Sequence, residues 1–302
     1  MAATSLAKLT GIRGGAAPLD RLALLWRRSS TVRVGVLLLL VCASMALVGP
    51  LLVPYAPDAY VGAPLEPPGP HHLLGTNDVG QDLLSGLVNG ARVSMAVGLI
   101  AGAAGLAVAL MVGLSAGTIG GPIDTVTMRL VDVLMALPSL PLMIVIAAFL
   151  GPGLANVIIV IVALAWVRPA RVIRSQVLTL RSRGYVQSAR LIGGGHLYLM
   201  KRHLLPALAP IAVAGFVTMA SRAVIMEAAL AFLGIGDPTI QSWGMMMRHA
   251  LDYRAIYLTP AWTWWLLPPG ICLTLLIASL AMLGTAADSY ANARMNHPQG
   301  VS

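Results

Sequence analysis

Few side chains in this sequence could carry out chemistry, and their spacing fits no common catalytic site. Asp237 closes a Gly-x-Gly-Asp sequence, but proteolysis by paired aspartates needs a second carboxylate facing the first. The other candidate, Asp132, is expected at the opposite end of the fold. The six histidines form no His-Glu-x-x-His motif, and no Gly-x-x-x-x-Gly-Lys-Ser/Thr loop occurs to hold nucleotide phosphates. The sequence therefore predicts no catalytic residue, no metal site and no bound cofactor.

Two charged residues, Arg222 and Glu227, lie inside one long apolar run. A charge at the centre of a membrane helix costs roughly 2.5–3.5 kcal/mol on insertion scales, so such residues usually face a cavity or a partner. A separation of five residues turns them about 140° apart around a helix, which disfavours direct pairing. We expect Arg222 to line a pathway or a subunit interface. Glu227 is expected to make a structural hydrogen bond or to contact a ligand.

Two other pairs of polar residues have simple expectations. Arg129 and Asp132 are three residues apart and are expected to pair on one helix face. His71 and His72 could bind a metal ion, but an ordinary exposed pair is the simpler interpretation.

The composition places most of these residues in an apolar environment. Hydrophobic residues make up 58% of the 302 residues and charged residues 10%, and the mean hydropathy is +0.82. Soluble domains have roughly 25% charged residues, and a helix needs about 20 apolar residues to cross a membrane. Six stretches reach or approach that length: 34–53, 94–117, 130–150, 157–173, 207–233 and 265–287. The sequence predicts an all-α, polytopic membrane protein with six transmembrane helices.

The basic residues are distributed asymmetrically between the predicted faces. If the N-terminus is cytoplasmic, 16 Lys and Arg residues lie inside, three lie outside, and Arg222 lies within a span. Positive charge collects on the cytoplasmic side of membrane proteins, so both termini are predicted to be cytoplasmic and nucleic acid is not an expected partner. The chain then divides into an arm at 1–33, a transmembrane domain at 34–290 and a tail at 291–302. Long connections are predicted outside at 54–91 and 235–263, and inside at 174–206.

The second predicted span carries Gly98, Gly102, Gly113 and Gly117, in pairs four residues apart. Small residues at this spacing allow close contact between membrane helices. Glycine is also simply common in such helices, so both interpretations stay open.

The inner connection has the pattern of an elbow. Helix-compatible residues run from Tyr185 to Ile192, three glycines follow that can end a helix and turn the chain, and a second helical stretch covers 196–204. The apolar side of the first helix must be covered by a protein partner or by the membrane surface, with arginines as anchors. Its residues are Val186, Ala189, Leu191 and Ile192.

This elbow resembles the EAA loop of ABC importer permeases, whose consensus is Glu-Ala-Ala, three residues, Gly, nine residues and Ile-x-Leu-Pro. The spacing matches throughout. The corresponding residues, just after Tyr185, are Gln187, Ser188, Ala189, Gly193, His203, Leu205 and Pro206. Three identities differ, since Gln187 replaces Glu, Ser188 replaces Ala and His203 replaces Ile. The negative charge of the family's Glu is therefore missing here.

Other segments narrow the resemblance to the second permease of dipeptide, oligopeptide and nickel importers. Residues 74–82 are similar to the Leu-Gly-Thr-Asp-x-x-Gly-Arg-Asp segment of that subfamily. Its family-like residues here are Gly75, Thr76, Asp78, Gly80 and Asp82. Residues 227–236, which begin with Glu227, and the following Ser242-Trp243-Gly244 are similar to a second segment.

The resemblance implies the type I ABC importer permease fold in the cell membrane and a division of labour. Two permeases form the pathway in the membrane lipid, two ATPase subunits use ATP and Mg²⁺ beneath them, and an external binding protein delivers peptides or a related cargo such as nickel. The EAA helix docks on the ATPase. On this interpretation, a bulky residue at Gly193 or Arg at Ala189 should uncouple transport and leave the protein in the membrane. A stand-alone secondary transporter or channel is the alternative.

Overall fold

The computed structural model describes residues 29–296, with side chains as far as residue 291. The predicted arm up to residue 28 and the predicted tail from residue 297 lie outside the described residues. Within 29–296 the only strand-like pairing is two isolated bridges, so the all-α prediction is confirmed. The helices are α1 (Ser30–Leu47), α2 (Gly49–Leu52), α3 (Leu83–Ile119), α4 (Gly121–Ala136), α5 (Ser139–Leu150), α6 (Leu154–Ala165), α7 (Val167–Arg181), α8 (Gly184–Leu191), α9 (His196–Leu199), α10 (Leu205–Phe232), α11 (Trp243–Asp252), α12 (Trp262–Trp265) and α13 (Leu267–Asn296), with a π-helix at Met200–Leu204 before α10.

Five helical segments are long and apolar enough to cross a membrane. They are Ser30–Leu47, Leu83–Ile119, Leu154–Arg181, His196–Phe232 and Trp262–Ala291. A sixth crossing is formed if α4 and α5, which meet at an angle of 96°, are taken together. The prediction of a multi-pass α-helical membrane protein is confirmed.

The third predicted span, 130–150, is not one continuous helix. It breaks between Ala136 and Ser139, where Leu137 is extended with φ −85° and ψ 139°. The residue before a proline is pushed out of the helical region, and the proline itself has no N–H to continue the helix. Pro138 therefore turns this span into two helices, and the prediction of a single helix is wrong here.

The long helix α3 packs against α10 and α7. Glycines line these contacts: a Cβ at Gly102 would lie 3.0 Å from Ala220 Cα, and one at Gly113 would lie 2.7 Å from the Ala170 carbonyl oxygen. At such distances a side chain would push the helices apart. The interpretation of the glycine spacing as a close-contact surface is the one that the structure favours.

The connection before α3 and the connection between α7 and α10 are shorter than predicted. Residues 53–82, here called the outer loop, lead directly into α3 at Leu83, so the last residues of the predicted connection 54–91 belong to the span. Residues 182–204, here called the elbow, contain α8, α9 and the π-helix. The preceding helix α7 continues to Arg181 and α10 begins at Leu205.

Candidate functional site

The helix α8 of the elbow turns two different apolar surfaces in different directions. Val186 and Ala189 are 2% and 7% exposed and pack into a buried cluster with Leu204 and neighbours from α3 and α7. Leu191 and Ile192 are 87% and 85% exposed. The four residues were predicted to form one apolar face that needs a partner. Only Leu191 and Ile192 are exposed enough to contact one. An arginine at Ala189 would therefore disturb this protein's own core, which overturns the expectation for that substitution.

Gly193 ends α8 in a defined C-terminal turn. Its φ is +95°, its N–H donates to the Arg190 carbonyl at 3.1 Å, and the Gly194 N–H donates to the Ala189 carbonyl at 2.9 Å. This is the Schellman arrangement, in which a left-handed residue, usually glycine, satisfies the last carbonyls of a helix. No atom lies within 4 Å of a Cβ built at Gly193. The backbone conformation, and not space, explains the glycine.

His203 lies between two tyrosines of the elbow. Its ring centroid is 6.0 Å from that of Tyr185 and 5.5 Å from that of Tyr198. The buried Nε2 atom of His203 has no hydrogen-bond partner among residues 29–291. The aromatic contacts join α8 to the π-helix and fix the angle of the elbow.

The elbow joins α10 through a change in helical hydrogen bonding. The Leu205 N–H donates to the Met200 carbonyl five residues earlier, which defines the π-helix. Pro206 has no N–H to donate four residues back, so the regular series cannot pass through this point. Gln187 and Ser188 face outward from α8, and the Gln187 side-chain amide donates to the Ser182 carbonyl at 3.4 Å.

A cavity of about 660 Å³ lies at the break between α4 and α5. Its walls come from residues 134–143, from α6 and α7, and from the middle of α10. Arg222 borders it, and so does Arg168. The pathway or interface role of Arg222 stays a prediction. The fourth span was predicted to end at residue 173, but the joined helices α6 and α7 continue to Arg181, so Arg168 is not at their end.

Two other arginines of α7 are held by acidic residues of α4. Arg171 pairs with Asp132, and Arg174 makes two hydrogen bonds to Asp124. The expected pair of Arg129 with Asp132 does not form, because the helix α7 lies alongside α4 and presents Arg171 to that carboxylate. These ion pairs link the broken span to α7.

Glu227 lies apart from Arg222, as the helical spacing predicts. Its side chain is 3% exposed, lies beside the hydroxyls of Ser94 and Ser242, and borders a small pocket that Arg222 does not line. The structure thus places Glu227 among packed helices, and its buried Oε2 has no hydrogen-bond partner among the described residues.

The family-like residues of the outer loop are mostly structural. Asp82 accepts a hydrogen bond from the Ser85 N–H at 2.8 Å, which caps α3, and its other oxygen lies 3.0 Å from His72 Nδ1. The Thr76 hydroxyl donates to the Ala63 carbonyl at 2.6 Å and accepts from the Glu66 N–H at 2.9 Å. His72 is 4% exposed, so the interpretation of His71 and His72 as an exposed pair is wrong for His72.

Two glycines of the outer loop allow close backbone contacts. Gly75 and Gly80 have φ values of +71° and +81°, and a Cβ at either would lie within 2.4 Å of a carbonyl oxygen. Asp78, in contrast, is exposed. The segment is therefore explained by folding of the loop and capping of α3.

Sequence reasoning missed two residues. Arg168 was counted as an inner-surface charge, and the signal that could have separated it is its distance of 14 residues from the start of α6. Trp243 was named only as part of the Ser-Trp-Gly segment, but it is fully buried and its Nε1 donates to the Leu87 carbonyl at 2.9 Å. Its position inside the Ser-Trp-Gly segment was the available signal.

Comparisons with known proteins agree with these features. Residues 109–297 match the model of a family described as binding-protein-dependent transport system inner membrane component. A putative peptide transport system permease protein of Brucella suis is 35% identical over 271 residues, 89% of each chain. A di/tripeptide transport system permease protein of Pseudomonas aeruginosa is 37% identical over 83% of this chain and 84% of its own. A nickel transport system permease protein of Escherichia coli is 34% identical over 86% of this chain and 93% of its own.

Proposed function

The chain belongs to the family of binding-protein-dependent transport system inner membrane components, and we propose that it is half of the translocation pathway of an ATP-driven peptide importer. A second permease forms the other half, two ATPase subunits dock on the elbow in the cytoplasm, and an external binding protein docks on the opposite face. Peptide cargo is supported by the printed names of relatives at 35% and 37% identity.

The observation that carries the coupling proposal is the exposed pair Leu191 and Ile192. Val186 and Ala189 anchor α8 in the protein's own core, and the turn at Gly193 fixes where the helix ends. Two large apolar side chains at more than four-fifths exposure are then held on a rigid support. Full burial of one such side chain in a partner's pocket contributes about 1.5–3 kcal/mol.

The charge of the elbow indicates the chemistry of the partner surface. The chain has no Asp or Glu between residues 133 and 226, and the elbow carries Arg183, Arg190, Lys201 and Arg202. Gln187 leaves the positive charge uncompensated where the family has Glu. We expect acidic side chains on the ATPase surface around the apolar contact, and association that weakens as salt concentration rises.

The outer loop is the proposed contact region for the binding protein. It carries Asp58, Glu66 and Asp78 on its surface or edges, and residues 54–91 contain no Lys or Arg. A binding protein with a basic patch would complement this charge.

Leu191→Glu tests the coupling proposal. The complete importer is purified through a tag on this chain, and the amount of ATPase subunit that remains bound is measured together with ATP-dependent uptake of a dipeptide into vesicles. We expect both to fall more than tenfold, because burial of a leucine side chain contributes about 1.5–3 kcal/mol and a carboxylate in its place would be buried without a partner.

Leu258→Glu is the matched control. Leu258 is also 87% exposed but lies between α11 and α12, away from the elbow. It should keep the ATPase subunits bound. If Leu191→Glu retained them at the wild-type level, docking at the elbow would be refuted, and uptake driven by an ion gradient without any ATPase would refute the importer assignment.

A further inference from the structure

The cavity at the break of the third span carries an unbalanced positive charge. Its lining is mostly apolar, and Arg168 and Arg222 are its charged residues. Neither makes an ion pair with a described acidic residue, whereas Arg171 and Arg174, one and two turns beyond Arg168, are paired with Asp132 and Asp124. The acidic residues of α4 therefore neutralise Arg171 and Arg174. Arg181 donates to the Gly117 carbonyl, and Arg168 is the arginine of α7 that borders the cavity.

Both arginines lie at membrane depth. Arg222 is ten residues before Phe232, the end of α10, and Arg168 is 14 residues after Leu154, the start of α6. At 1.5 Å per residue, Arg222 lies about 15 Å from the Phe232 end of α10, and Arg168 lies about 21 Å from the Leu154 end of α6. The hydrocarbon layer is about 30 Å thick. An unpaired arginine at such a depth needs a water-filled cavity or an anionic partner.

The rest of the lining suits a variable ligand. Four methionines border the cavity: Met135, Met143, Met219 and Met226. Methionine side chains are flexible and polarisable, and they adapt to partners of different shape. The cavity would then require a negative charge on its ligand but would tolerate ligand side chains of different shapes.

We propose that Arg168 and Arg222 contact the carboxylate of the cargo during passage, so that this cavity favours peptides with free carboxylates and excludes bare divalent cations. The inference rests on the proposed importer function. A guanidinium group pairs with a carboxylate through two parallel hydrogen bonds, and two positive charges in a low-dielectric cavity repel a metal cation strongly. Among the described lining residues there is no carboxylate to hold such a cation.

The first test measures the potential of the cavity without any cargo. Met226→Cys is introduced in the full importer with Cys42 and Cys272 replaced by Ala, and its reaction rates with an anionic and a cationic methanethiosulfonate reagent are compared with those of a free thiol. The anion-to-cation rate ratio should fall about tenfold in Arg222→Gln and in Arg168→Gln. It should stay high in Arg222→Lys.

Arg129→Gln is the control for loss of charge, because Arg129 is exposed but does not border the cavity. It should leave the rate ratio unchanged. A ratio that neither Arg222→Gln nor Arg168→Gln changes overturns the proposal. An unreactive thiol at position 226 also overturns it, since the cavity would then not be open to water.

The second test follows cargo selectivity in vesicles with one and the same binding protein. Uptake of glycyl-glutamate, glycyl-glutamine and glycyl-lysine is compared between the wild type and Arg222→Gln. The glutamate-to-lysine uptake ratio should fall about tenfold in the variant, and Arg222→Lys should restore most of it. Uptake of Ni²⁺ offered as the bare ion should stay at background.

The outcomes separate this inference from the importer assignment. ATP-dependent uptake with an unchanged glutamate-to-lysine ratio in Arg222→Gln, or efficient uptake of bare Ni²⁺ by the wild type, overturns the carboxylate contact alone. Absence of ATP-dependent uptake in the wild type overturns the proposed function, while the reagent-rate measurement still reports the charge of the cavity.

Discussion

The outer loop and the elbow lie at the two ends of α3, about 54 Å apart along its axis, and they are built in opposite ways. The outer loop buries polar groups and pairs them with one another: His72 with Asp82, and Thr76 with the backbone at Ala63 and Glu66. The elbow leaves large apolar side chains exposed and one buried ring nitrogen, on His203, without a partner among residues 29–291.

The outer loop therefore satisfies its polar groups by itself, whereas the elbow leaves apolar side chains and a ring nitrogen without partners within residues 29–291. Hydrogen bonds within the outer loop hold its conformation before anything binds, as suits the contact region that we propose for the binding protein. In the elbow, Val186 and Ala189 pack into the protein's own core, but Leu191 and Ile192 are exposed and have no packing partner among the described residues. A subunit that stays bound during the transport cycle can supply the missing contacts.

The largest effect is expected for Asp82→Ala in the outer loop. The change removes the cap of α3 and leaves His72 buried without its partner. A lost cap costs about 1 kcal/mol and an unsatisfied buried group about 2 kcal/mol, so the total is about 3 kcal/mol. We expect a clearly lower thermal unfolding midpoint and rapid cleavage of residues 53–82 by thermolysin.

Asp78→Ala is the control, because Asp78 is exposed in the same loop. It should leave the midpoint within the error of the measurement. Equal stability of both variants would show that the outer loop is not held by its polar network, and the contrast with the elbow would be lost.

A smaller, local effect is expected for Gly193→Ala in the elbow. Gly193 has a φ of +95°, and a left-handed conformation costs a residue with a Cβ about 1–2 kcal/mol. Hydrogen exchange of α8 amides should become about tenfold faster, while exchange in the outer loop stays unchanged. ATPase-driven uptake should fall with it, as the sequence predicts for a larger residue at this position.

Gly195→Ala is matched to it. Both positions have open space around a Cβ, but Gly195 has a φ of −70°, which any residue adopts. Exchange in Gly195→Ala should equal that of the wild type. If the two variants behaved alike, the turn would not depend on its left-handed residue.

The helical, multi-pass fold and the elbow could be predicted from sequence because their signals are local. Apolar runs of about 20 residues mark spans, and three glycines after an eight-residue helix mark a turn. The helix at 185–192 and the turn at Gly193 are where the sequence places them. The Gly102 and Gly113 spacing also has the structural meaning that the pattern allows.

The features that sequence reasoning missed depend on contacts between distant segments. Arg171, and not Arg129, reaches Asp132, because α7 packs beside α4. Ala189 faces inward because Leu204 and neighbouring residues cover it, which the period of one helix cannot reveal. The 96° break follows from Pro138 locally, but its size and the cavity beside it depend on how α5 packs.

A modest gain in stability is expected for His203→Ile. The buried Nε2 of His203 has no partner among the described residues, and an unsatisfied buried group costs about 1 kcal/mol or more. Isoleucine is the residue of the resembled motif at this position. Hydrogen exchange of the elbow should slow down, and His196→Ile, at an exposed position of the same segment, should not slow it. Faster exchange in His203→Ile would mean that the contacts with Tyr185 and Tyr198 outweigh the unpaired nitrogen.

The smallest effect is a pH dependence confined to the region around the outer loop. Partial desolvation in α11 lowers the pKa of His249 below its usual value, although the side chain keeps contact with solvent. Asp252 and Asp78 oppose the shift, and Arg248 adds to it. A histidine whose pKa is lower in the folded state binds protons more strongly when unfolded, so its contribution destabilises the fold as pH falls below about 6.5.

The unfolding midpoint of the wild type should therefore decrease more between pH 7 and pH 5 than that of His249→Gln, and the two curves should run parallel above pH 7. His71→Gln, at an exposed position, should follow the wild type. His249 borders the same small pocket as Asn77, Gln81 and Asp82. Acid should therefore speed up hydrogen exchange in the outer loop. Exchange of the elbow helix α8, corrected for its intrinsic pH dependence, should stay unchanged. A pH response that His249→Gln does not reduce would place the titrating group elsewhere.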